Sequence, residues 1–74
     1  MHPDTTKLLL QTLENQVRQT KAAYYASVPG VTYEDMAAAA RRLLDMRACY
    51  ERSSGRRVTS KATPKAIATL LRSL

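Results

Sequence analysis

Val28-Pro29-Gly30-Val31 cuts this chain between two stretches of helical periodicity, and no other feature restricts its fold as strongly. Pro-Gly is a strong turn signal, and Pro29 is expected to stop whatever helix precedes it. Four to six connecting residues between two periodic stretches predict an antiparallel helical hairpin. Before the break, Leu10, Leu13, Val17, Thr20 and Tyr24 recur at spacings of three and four, which makes one narrow stripe on a helix. Leu9 and Ala23 widen it. The expected span is about 5–26, with Asp4 or Thr5 as N-cap and Glu14–Arg18 as a supporting pair one turn apart.

After the break, Thr32-Tyr33-Glu34-Asp35 reads as a capping box, with Asp35 in the place more often held by Glu. Met36, Ala40, Leu43 and Leu44 give the apolar face of a helix over about 32–52, and Ala37 to Ala40 would let another helix approach closely. Arg41–Asp45 and Arg47–Glu51 have the spacing of further helix pairs. Ser53-Ser54-Gly55 ends this segment, and a polar, basic loop follows. Residues 47–60 leave open a short hairpin in place of helix end plus loop. Thr63 and Pro64 then open a third helix over about 64–73, as N-cap and first helical residue. Ala66, Ile67, Leu70, Leu71 and Leu74 make it amphipathic.

The expectation is therefore an all-α, three-helix domain spanning residues 1–74, a long hairpin with a basic loop and a short C-terminal helix. Its expected core is Leu9, Leu10, Leu13, Val17, Tyr24, Met36, Ala40, Leu43, Leu44, Ile67, Leu70 and Leu71. Composition agrees: the chain has no Phe and no Trp, and it leans on the strong helix formers Ala and Leu. A chain of 74 residues buries only about 60% of its unfolded surface, so additional support is expected. One cysteine, Cys49, makes no internal disulfide, and with His2 it is too few soft ligands for structural zinc. Cys49 is expected to behave as a partly buried small hydrophobe. Self-association through Leu10, Leu13, Val17 and Tyr24, giving a homodimer or a place in a larger assembly, is the expected remedy.

Catalysis is not expected. His2 is the only histidine, no nucleophile–base constellation forms around it, and no phosphate-cradling glycine motif is present. No cofactor or metal is expected. No apolar run approaches the length of a membrane span, and the first residues lack the pattern of a secretory signal, so a cytoplasmic setting is expected.

The charge is concentrated. Residues 1–40 carry three basic and four acidic side chains, whereas residues 41–74 carry nine basic against two acidic, Asp45 and Glu51. From Arg52 onward there is no acid. Arg42, Arg52, Arg56, Arg57, Lys61 and Lys65 lack an obvious local partner, and Thr63 adds the N-terminus of the last helix. This pattern suits contact with phosphates, so these seven residues are the expected nucleic-acid-binding set. A helix-turn-helix fits poorly, because the basic connection is about ten residues against the usual three or four. Tyr50 is a candidate for stacking on an exposed base. The expected function is a small nucleic-acid-binding accessory or regulatory protein. The alternative is an interaction subunit, an adaptor, inhibitor or assembly component, docking on an acidic protein surface.

Gly55-Arg56-Arg57-Val58, with an Ala-rich helix before it and a short helix after it, resembles the small head-completion proteins of lambdoid phages. That resemblance covers part of the chain. It implies a helix–hairpin–helix arrangement and a structural role between capsid and tail.

Overall fold

The structure is a computed structural model that describes residues 3–74. It contains three helices: α1 (Pro3–Tyr25), α2 (Tyr33–Ser53) and α3 (Pro64–Ser73). α1 and α2 pack along each other as the hairpin, and α3 lies chiefly on α2. The longest dimension is 41 Å, close to the roughly 35 Å expected of a helix the length of α1 plus its flanking chain.

α1 begins at Pro3, two residues before the expected start, so Asp4 and Thr5 lie in its first turn and neither caps it. Proline is tolerated there because the first helical amides have no intrahelical partner. His2 lies outside the described residues. Termination also differs from expectation. The Val28 amide donates to the Ala23 carbonyl at 3.1 Å and the Ser27 amide to that of Tyr24 at 3.1 Å. Ser27 takes a left-handed φ of 58°. These two bonds make a Schellman ending, so the chain turns at Ser27 before Pro29 is reached. α2 ends in the same way. The Arg56 amide reaches the Glu51 carbonyl at 2.9 Å and the Gly55 amide that of Arg52 at 3.1 Å, with Gly55 at φ 72°.

The α2 capping box forms as expected. The Asp35 amide donates to Thr32 Oγ1 at 3.3 Å, and the Thr32 amide donates to Asp35 Oδ2 at 2.8 Å. Thr63 caps α3 by accepting from the Ala66 amide at 3.1 Å. Glu14 and Arg18 close at 2.6 Å. Among the described residues, Arg41–Asp45 and Arg47–Glu51 do not form ion pairs within 4.0 Å.

Val17, Met36, Ala39, Ala40, Leu43, Leu44, Leu70 and Leu71 form the buried core. Leu10, Leu13, Tyr24 and Ile67 pack against it half-buried. Leu9 does not belong to it; at 37% exposed it lies off the stripe. Thr6 is buried instead, one turn before Leu10 on the same line. The residues expected to face a second chain (Leu10, Leu13, Val17 and Tyr24) are all engaged by the core of their own chain. Cys49 is exposed, not partly buried.

Residues 56–63 contain no strand, so neither the hairpin left open for 47–60 nor the one implied by the phage-protein resemblance is present. With one β-branched apolar residue of the loop, Val58, to set against Cys49, little cross-strand packing is available to hold such a pair. Among the described residues, no helix is long and apolar enough to cross a membrane.

Candidate functional site

The basic loop is fastened at its middle. Glu51 is the last acid in the sequence, and it faces the loop, not Arg47. Its Oε2 accepts from the Thr59 amide at 2.9 Å and from the Thr59 hydroxyl at 2.8 Å. The Ser60 hydroxyl beside it, then the Thr59 amide and hydroxyl, hold the carboxyl well below its ordinary 4.5, at about 2. Only the two Thr59 contacts have close hydrogen-bond geometry. Oε1 is shut off from solvent and has no hydrogen-bond partner.

This fastening divides the loop. Arg52, Arg56 and Arg57 stand exposed before the fastened point, with Gly55 making the turn between them. Lys61 is exposed just beyond it. Thr63 and Lys65 then line a groove of about 450 Å³ between the end of α2 and α3. Arg47, Thr59, Ser60 and Thr69 line the same groove, which makes it cationic and rich in hydroxyls. Arg47 was missed in the sequence because its spacing from Glu51 suggested a helix pair. The structure releases it by giving Glu51 to Thr59.

Two expected members behave differently. Arg42 is exposed and lines a separate groove of about 380 Å³ with Leu13, Asp45, Met46 and Cys49, between α1 and α2. It stands ten residues before Arg52, about 15 Å along α2, and beside an acid. Arg42 is therefore not part of the cluster around the loop. Thr63 contributes less than a bare helix N-terminus would. Pro64 has no amide hydrogen, the Ala66 amide is held by Thr63 itself, and the Ile67 amide donates to the Thr63 carbonyl at 2.9 Å. Lys65 keeps the open amide of that turn. An anion there would meet one backbone donor and two side-chain cations, Lys65 and Arg47.

A further groove, of about 560 Å³, lies on the other flank of α3. Lys21 and Tyr25 of α1, Tyr33 and Met36 of α2, and Leu71 and Arg72 of α3 line it. Tyr25 is 70% exposed and Tyr33 51%. Tyr24 meets both edge-on, with ring centroids 5.3 Å from Tyr25 and 6.3 Å from Tyr33. Tyr50, expected to stack, lines neither this groove nor the cationic one. The signal for Tyr25 and Tyr33 was their placement four residues either side of Pro29, which a tight helical hairpin brings together.

Among the described residues, no three His, Cys, Asp or Glu side chains gather in a way that could hold a metal ion. Comparison with protein-family models, with curated proteins and with solved structures returns no significant match.

Proposed function

We propose that this protein binds nucleic acid through its basic loop and the groove beside it, as a non-enzymatic accessory or regulatory factor. The observation that supports this most is the treatment of Glu51. The one acid beside the basic segment is bound to the Thr59 amide and hydroxyl, which leaves the neighbouring cations without a paired carboxylate. Arg52, Arg56, Arg57 and Lys61 are exposed around that fastened point, and Arg47 and Lys65 flank a hydroxyl-rich groove that suits phosphate oxygens. Contact of this kind is electrostatic and largely independent of sequence.

A gel shift over a series of salt concentrations tests the reading. Binding at low salt should weaken steeply as salt rises, because each phosphate neutralised releases counterions. Arg56→Ala/Arg57→Ala should reduce the slope of log affinity against log salt by about two. No binding at low salt, or an unchanged slope in the double variant, refutes it. A second reading is an interaction subunit docking on an acidic protein partner through the same cations, with the exposed Leu8 (63%) and Leu9 (37%) on α1 available for apolar contact within a larger assembly.

A further inference from the structure

We infer that the groove between the hairpin turn and α3 takes an unpaired nucleobase, with the flanking phosphates on Lys21 and Arg72. This rests on the nucleic-acid reading above and adds the class of ligand, a single strand in preference to a duplex.

Two large aromatic side chains, Tyr25 and Tyr33, stand open to solvent in one groove. Tyr24 packs edge-on against both and is itself packed against the core. Met36 and Leu71, both buried, underlie them with apolar atoms. The charged side chains lining the groove are Lys21 and Arg72, with no acid among them. Aromatic faces flanked by cations are the combination that single strands use. Every base has a face that stacks, and the cations follow the backbone whatever the sequence. The interior of a duplex cannot use it, since its base faces are already covered by one another.

α3 links this groove to the basic loop. Lys65 and Arg72 are seven residues apart, two turns and about 10 Å along the helix, on nearly the same side. A strand stacked at Tyr25 and Tyr33 is thereby led along α3 toward Lys65, Lys61 and the loop.

The full-length protein can be titrated against a fluorescein-labelled oligothymidylate and a duplex of equal length, read by anisotropy. The wild type should prefer the single strand. Tyr25→Ala/Tyr33→Ala should weaken single-strand binding about tenfold or more and leave duplex binding unchanged. Tyr25→Phe/Tyr33→Phe should restore it, because stacking needs the ring and not the hydroxyl. Lys21→Ala/Arg72→Ala, which alters only surface cations, should reduce both the single-strand affinity and its salt slope. It provides a second test should the alanine pair fail to fold. Equal binding of the two probes, with neither variant pair changing it, overturns the inference while leaving the basic-loop reading intact. That result would also be expected if the groove receives a protein segment. No binding of either probe at low salt overturns both.

Discussion

Val17 decides whether the stripe on α1 serves the chain itself or a second copy. It is fully buried, with 0% exposure, in a core made with α2 and α3. Val17→Ala removes two carbons at about 0.8 kcal/mol each, and the cavity left in a tight helix seam adds to that, for a total of about 1.5–3 kcal/mol. A domain of this length has about 4–11 kcal/mol to lose, at roughly 0.05–0.15 kcal/mol per residue. The midpoint of thermal unfolding should fall by about 10–20 °C. Urea unfolding followed by far-UV circular dichroism measures the free energy, and repetition at low and high protein concentration separates the two uses of the stripe. If Val17 works within its own chain, the loss is the same at both concentrations. A loss below about 0.5 kcal/mol, or one that disappears at high concentration, would refute the intramolecular assignment.

Two further outcomes follow from the loop and the turn. The Glu51 carboxyl is lowered to about 2 from 4.5, so its contribution is complete above pH 4.5 and is lost as the pH falls through 2. Protection of the Thr59 amide from hydrogen exchange should follow that window, and Glu51→Gln should remove the pH dependence and speed tryptic cleavage after Arg56 and Arg57; unchanged protection and cleavage in the variant would count against the fastening. Ser27 occupies a left-handed conformation that costs a side chain about 1 kcal/mol, so Ser27→Gly should raise the stability by up to about that much in the same urea assay, and a fall would show that the serine side chain has a compensating role.

Much of the fold was legible because three helices announce themselves through local chemistry. Thr32 with Asp35, and Thr63 with Pro64, mark helix starts that need nothing beyond four residues of sequence. The stripe from Leu10 to Tyr24 follows directly from helical periodicity. What was not legible depends on conformation or on distant residues. Nothing marks Ser27 as left-handed, and Pro29, two residues later, carries the stronger signal. Thr6 lay outside the stripe traced from Leu10 to Tyr24, although it continues that line by one turn. The basic set was only partly legible, since Arg52 to Lys65 are neighbours in sequence whereas Arg42 is directed elsewhere by its position on α2. Arg47 and the Tyr25–Tyr33 groove required tertiary structure. One depends on a carboxylate choosing a loop eight residues away over a helix neighbour, the other on three helices meeting.

Both the cationic groove and the tyrosine groove have α3 as a wall. A ten-residue helix does not persist alone in water, and this one is anchored by Leu70 and Leu71. Undocking α3 would dismantle both surfaces together. Occupancy and docking are therefore reciprocally linked: a ligand in either groove draws the C-terminal helix onto the hairpin, and whatever loosens that helix weakens both sites by the same factor. The last eleven residues thus act as a common clamp, through which two separate grooves would show cooperativity without touching.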